Sequence, residues 1–451
     1  MNDDIEKYAE TVKQNPNDDA AYNYLGNAYF GAGQYDKALE QYQRATAIKQ
    51  EWIYLSNMGD AYVRLGDTDK AIEHYEKALA ISNKDDEILN NSLGNAYSLK
   101  ANYDKAIENY KKAITINPSH IYYTNMGDAY RLKGKPEMAL EYYQQAIDIS
   151  PDYAPAHNAM GVVYYVMGEY DKAIEHYAMA VRVDPVSFIY NANIGDAYRA
   201  KRDWGEAISY YRKALEINPD DVLTNNGLGI SYYSIGNYAD AITCYLKAIQ
   251  LDPDNYIYPV NLGDAYSGLA SWDEAIASYK KAIEINPKDD LTCNSLGNAY
   301  FGQGLYSRAI EQYTKALSIR ELAIYYSNIG DAYRRLKKWE KGLEYYQKAA
   351  DKAPDDSGFR TNLFRVHNDI GVELFQKGET DKALIEYAKA AQYGAADKKE
   401  EATVYHNLSL AYTTKGDLTK AEEYLLKAIE LSGDRQAFDA ELQALRNKKS
   451  I

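Results

Sequence analysis

The chain has 451 residues, of which 46% are apolar and 26% charged, with a formal net charge of −15 and a mean hydropathy of −0.58. This acidic balance argues against a nucleic-acid partner, and no run approaches the roughly 18 apolar residues of a spanning helix, so membrane insertion is not expected. The length exceeds what one hydrophobic core serves, a limit that chains of stacked, nearest-neighbour units escape.

The amino terminus, Met1 to Glu6, has neither a basic n-region nor an apolar h-region, so a cytoplasmic location is expected. Residues 1–18 read as a half-repeat: one helix from Asp4 to Gln14, stopped by Asn15-Pro16, with Tyr8 at the place Tyr42 takes in the next unit. A pattern then recurs. Glycines fall at Gly26, Gly59, Gly94, Gly127, Gly161, Gly195, Gly229, Gly263, Gly297 and Gly330, with spacings of 33 to 35. The sixth unit, Asn191 to Pro219, shows the skeleton: Gly195, Tyr198, Ala207, Tyr211, Ala214 and Pro219. A period of this length, holding two short helical patterns and no β-type alternation, marks a helical solenoid.

Within that unit, helix A is predicted over roughly Ile189 to Lys201 and helix B over roughly Trp204 to Glu216. Gly195 and Ala207 are small enough for two antiparallel helices to cross closely, with Tyr198 and Tyr211 as the large wedges between them. Glycine inside a helix costs about 1 kcal/mol against alanine, so its recurrence needs a packing reason. Asn218-Pro219 stops helix B, and similar stops recur at Pro118, Pro151, Pro185, Pro253, Pro287 and Pro354.

Ten units are expected over 19–356, forming five 68-residue pairs. Two longer, divergent units follow over 357–432, with Gly371 and Ser409 at the glycine place. Residues 357–366 read as an extension of a helix, and 394–400 as a polar stretch compatible with helix or loop. A capping helix with the apolar stripe Phe438, Leu442 and Leu445 closes the chain over 433–451, its last residues from Asn447 frayed. Arg435, Asp439 and Glu441 fall largely on the other side of that stripe.

The pairing shows in the polar residues. Even units carry Asn-x-Gly-Asp-Ala-Tyr or a close form, at Asn57/Asp60, Asn125/Asp128, Asn193/Asp196, Asn261/Asp264 and Asn328/Asp331. Odd units carry asparagine one residue earlier, at Asn23, Asn91, Asn158, Asn226 and Asn294. Three of these add Asn27, Asn95 and Asn298, where the others have Val162 and Ile230. Asn193, Asp196 and Arg199 are spaced by three and share one face of helix A. Arg64, Arg131, Arg334 and Arg335 stand in comparable places.

This pattern resembles the tetratricopeptide repeat (TPR) family, and the resemblance covers nearly the whole chain. It implies an all-α, right-handed solenoid superhelix whose A helices line a concave groove, with the asparagines, aspartates and arginines above facing that groove. In relatives an asparagine ladder clasps the backbone of an extended peptide, an amide being both donor and acceptor. Phe30, Tyr165, Tyr233 and Phe301 are then candidate aromatic anchors. Two other readings stand beside this one: the Asp/Arg pairs as helix-surface ion pairs, and the asparagines as bonds between adjacent A helices that set the superhelical pitch.

The expected function is a non-catalytic scaffold binding an extended peptide or protein segment, the alternative being a building block that self-assembles or organises a larger complex. Monomer or dimer is favoured. Co-chaperone members hold a C-terminal carboxylate with lysines and arginines; here those places hold Asn23, Ile88 and Asn91, so tails of the Hsp70 and Hsp90 type are not expected as partners. The six histidines make no metal spacing, Gly31-Ala32-Gly33 follows no strand, and no cofactor or catalytic residue is expected. Cys244 and Cys293 lie in different units and imply no disulfide.

Overall fold

The computed structural model describes residues 2–82 and 86–449. Among them are 26 helices and no strand, an all-α solenoid of antiparallel helix pairs. In the sixth unit helix A is Phe188–Ala200 and helix B is Trp204–Ile217. The chain divides into two compact units, residues 1–231 and 232–451, the boundary falling within helix Val222–Ser234. Inside each, every helix packs on the one before it and the one after it.

The close approach of A on B has one cause, repeated. A Cβ built on Gly195 would lie 2.7 Å from the ring of Tyr211, sixteen residues on. The same holds for Gly26 against Tyr42, Gly127 against Tyr143, Gly263 against Tyr279 and Gly371 against Tyr387, at 2.4 to 2.6 Å. Tyr211 is fully buried between Ala207 and Ala214. Where the glycine becomes Ser409, the residue sixteen later is Leu425, also fully buried. A Cβ on one side is matched by a slimmer side chain on the other.

Tyr198, expected as a second wedge, is not one. It is half-buried and stacks on Tyr210, ring centroids 5.7 Å apart. Ala197 is the residue of helix A that is fully buried beside Ile194 and Gly195.

The turn from A to B uses one left-handed residue, seven after the repeat glycine. Gly66, Gly134 and Gly236 supply it with φ near 80°. Ala101, Arg202, Ala270 and Lys337 hold the same conformation with a side chain attached, at a cost that glycine avoids. Two backbone bonds close the turn, Arg202 N–H to Arg199 C=O and Asp203 N–H to Tyr198 C=O, at 3.0 and 2.9 Å. The Asp203 carboxylate then caps helix B by accepting from the Glu206 N–H.

At the amino end, helix Asn2–Gln14 packs on helix Asp19–Gly31. Tyr8 is only half-buried and stacks on Tyr24 at 5.4 Å, unlike the buried Tyr42, whose ring packs against Gly26. Toward the other end, Ser357–Gln376 is a single 20-residue helix, and Gly394 ends the helix before Lys398–Lys415 begins. The closing helix Asp439–Lys449 buries Leu442 and Leu445 against Ala421 and Leu425. Glu441 is not wholly on its wet side, since it accepts from His406 at 2.9 Å. Arg446 and Lys449 both pair with Glu422, at 2.7 and 3.1 Å, so the segment expected to fray is helical as far as Lys449. Ser450 and Ile451 lie outside the described residues.

Candidate functional site

The aspartates of the even units are tied to the wedges. Asp60, Asp128, Asp196, Asp264 and Asp331 accept from the hydroxyls of Tyr75, Tyr143, Tyr211, Tyr279 and Tyr346, at 2.6 to 2.9 Å. In odd units Asn27, Asn95 and Asn298 do the same for Tyr42, Tyr110 and Tyr313, at 2.7 to 2.8 Å. A buried hydroxyl without a partner costs about 1–3 kcal/mol, so the acceptor fifteen residues earlier stabilises each of these tyrosines, although Tyr177 and Tyr245 are buried with Val162 and Ile230 at that place. Burial of the tyrosines, and the carboxylates beside them, holds their hydroxyls far above the ordinary value. Desolvation likewise raises the carboxyls of Asp60, Asp264 and Asp331. The sequence reading placed these acids on the ligand face alone and missed this inward bond; the constant fifteen-residue offset between Asp or Asn and Tyr was its visible signal.

The asparagines pair across units. Asn57 donates to Asn23 at 2.7 Å and to Asn27 at 3.3 Å. Asn125 donates to Asn91, Asn193 to Asn158 and Asn328 to Asn294, at 2.7 to 2.8 Å, and Asn407 to Asn368 at 2.9 Å. The one-residue stagger between odd and even units brings the two amides of a pair together, which gives the 68-residue period a physical basis. Asn226 and Asn261 are also engaged in polar interactions. Most of these side chains are half-buried, Asn23 is buried, and Asn27, Asn95 and Asn298 are exposed.

The arginines divide. Arg131 pairs with Asp128 at 2.9 Å and Arg199 with Asp196 at 3.2 Å. Arg334 turns instead to Asp369, at 2.6 Å. Arg64 is exposed and reaches Asp60 only through its field, and the exposed Arg335 lies 5.9 Å over the ring of Phe301. Phe30 packs edge-on to Tyr35 and Tyr165 is tilted against Tyr170. Tyr233 is the most open of the four aromatics at 38% exposure.

A row of aliphatic residues completes this face, six before eight of the repeat glycines. It comprises Ile53, Ile88, Ile121, Ile189 and Leu223 in the first compact unit and Ile257, Leu291 and Ile324 in the second. They are 39% to 74% exposed. Ile189, Asn193 and Asp196 follow at i, i+4 and i+7, so they form one stripe. With Phe188 and Leu223 they line a cleft of about 310 Å³. A second cleft, about 370 Å³, is lined by Phe30, Asp60, Arg64, Asn95 and Leu99. In the sequence five of these residues, Ile53, Ile121, Ile189, Ile257 and Ile324, are legible as the first member of an Ile-Tyr pair that opens each even unit, but their exposure is not. The larger cleft, about 510 Å³, belongs to a different stripe, Asn90, Leu93 and Tyr97. Its charged groups are satisfied internally, as in Tyr97 to Glu76 and Lys112 to Glu108, both at 2.7 Å.

Family models described as TPR repeat or tetratricopeptide repeat match residues 59–100, 127–168 and 271–304, 158–222, 90–120 and 223–255, and 321–393. Others match 402–435, 19–52 and 291–324. Comparison with curated proteins found no match. Among solved structures, MamA is 28% identical, with 36% of this chain and 95% of that one covered and a TM-score of 0.35. YrrB, titled a TPR protein with an unusual peptide-binding site, is 24% identical over 41% of this chain and 96% of its own, TM-score 0.38. The C-terminal part of a TPR repeat-containing protein from Cytophaga hutchinsonii is 20% identical over 55% and 99%, TM-score 0.44. With repeat matches from residue 19 to residue 435, on a chain of antiparallel helix pairs, this protein belongs to the tetratricopeptide repeat family.

Proposed function

We propose that this protein is a non-catalytic scaffold that binds an extended segment of another protein along the face of its A helices. The observation that carries this is the juxtaposition, in one stripe, of an exposed aliphatic residue with a half-buried amide and carboxylate, as in Ile189, Asn193 and Asp196. Water-exposed aliphatics at regular intervals are a cost unless a partner covers them. Amides between them satisfy the backbone of a chain laid along the row. Their bonds to one another support a structural share in the same residues. No helix among the described residues is long and apolar enough to cross a membrane. Cys244 and Cys293 are buried in separate repeats and are not bridged to each other, and the cytoplasm is the proposed place of action.

The test is site-specific crosslinking. A photoreactive phenylalanine at Ile189 or Leu223, and as control at Lys213 on helix B, is activated in the native cell and adducts are mapped by mass spectrometry. Adducts at 189 and 223 to short, recurrent segments of other proteins are expected. Adducts only at 213 would refute groove binding, and adducts to copies of this chain would move the function to self-assembly.

A further inference from the structure

The carboxylates after the even-unit glycines keep different company. Arg131 and Arg199 stand four residues after their glycines. Arg199 donates through Nη2 to Asp196 at 3.2 Å and through Nε to the Tyr211 hydroxyl oxygen at 2.9 Å. Arg131 donates to Asp128 at 2.9 Å and also reaches Tyr143. In the eighth unit that place is Ser267. Its Oγ lies 3.2 Å from the Tyr279 hydroxyl, so the serine keeps the arginine's contact with tyrosine and omits its contact with the carboxylate. Asp264 accepts from Tyr279 at 2.7 Å, and among the described residues no cationic side chain acts on it. Tyr233 holds the repeat place of Phe30, which lines one cleft with Asp60, the counterpart of Asp264, and its ring is partly open to solvent. In the fifth pair the equivalent aromatic, Phe301, lies under the guanidinium of Arg335.

We infer that Asp264, Tyr279 and Tyr233 form a subsite for an arginine side chain of the bound segment, which brings from outside the guanidinium that Arg199 supplies from within. The inference rests on the groove reading above. Arginine is specified over lysine because its planar fork donates to a carboxylate and a second oxygen at once, as Arg199 does, and its face stacks on an aromatic ring. Tyr279 donates to one carboxylate oxygen of Asp264 and accepts from Ser267, which leaves the other carboxylate oxygen of Asp264 for the guanidinium.

The experiment selects random nine-residue peptides against the full chain and resynthesises each binder with citrulline in place of arginine. Two variants keep the fold by the chain's own precedents. Asp264→Asn preserves an acceptor of the kind Asn27, Asn95 and Asn298 provide, and Ser267→Arg copies Arg199; thermal melts confirm both. The expected result is a binder with one arginine at a fixed register, weakened roughly tenfold or more by citrulline on the native chain. That dependence is lost on Asp264→Asn and on Ser267→Arg. Binders that require Ile257 and Leu291, failing on the Ile257→Glu/Leu291→Glu variant, yet ignore citrulline would overturn the subsite and leave the groove standing. Binders indifferent to that variant, or no binders at all, would remove the groove and the subsite with it.

Discussion

A glycine and a tyrosine sixteen residues apart decide how near the two helices of a unit can come. Gly195→Ser adds a Cβ where the Tyr211 ring already lies 2.7 Å away. Overpacking of this kind costs about 1–3 kcal/mol, more than the helix propensity gained. Adding Tyr211→Leu reproduces the Ser409 and Leu425 combination and is expected to recover part of the loss in chemical denaturation. A double variant no better than Gly195→Ser alone would mean the two residues do not share one space. Protonation matters at the same scale. His157 Nε2 lies 2.9 Å from the Pro151 carbonyl, and its Nδ1 lies 3.4 Å from His176 Nδ1. Burial first, and then His157, lowers the pKa of His176 below the ordinary 6.5, with Glu175 opposing. A histidine depressed in the folded state binds fewer protons there than when unfolded. Its stabilising share is therefore complete above the ordinary value and lost as pH falls from there through the folded value. Denaturation midpoints measured from pH 7.5 to 5 should fall less steeply for His176→Phe, which keeps the stacking on Tyr164, than for the native chain.

Between elements, the amide pairs are the distinctive bonds. Asn158 and Asn193 sit on successive A helices and share one hydrogen bond of 2.7 Å. Single alanine substitutions mix the lost bond with a gain in helix propensity, so each alone says little. A double-mutant cycle removes the propensity contributions, and a coupling of about 0.5–1.5 kcal/mol is expected for one such bond. Zero coupling by thermal denaturation would show that the two amides are not joined in solution.

For the whole molecule, the packing of each helix mainly on its sequence neighbours, with A helices also touching the next A helix, sets how damage spreads. Tyr211→Ala removes a fully buried ring and should cost about 3–5 kcal/mol locally. Hydrogen exchange is expected to accelerate first in Phe188–Ala200 and Trp204–Ile217, while Ala323–Arg335 and Lys398–Lys415 keep their protection. Equal loss along the chain would mean that it melts as one cooperative block.

The helices and their pairing were legible in the sequence because the information is local. Glycine, alanine and tyrosine recur at fixed intervals, and a proline or a left-handed residue ends many of the helices. Each unit needs only its neighbours, so a periodic sequence yields a periodic stack. What the tertiary structure decided is where each polar side chain spends its bonds. Spacing put Asp196 on one helix face with Asn193 and Arg199, yet its carboxylate is also the acceptor for the buried Tyr211 hydroxyl. Tyr198 and Tyr211 look alike in the repeat, and only the packing of helix B on Gly195 makes the second the wedge and leaves the first half-buried. The stagger of the asparagines was visible, but its meaning was not. Side chains 34 or 35 residues apart meet only when two A helices lie side by side, and that neighbour is supplied by the fold.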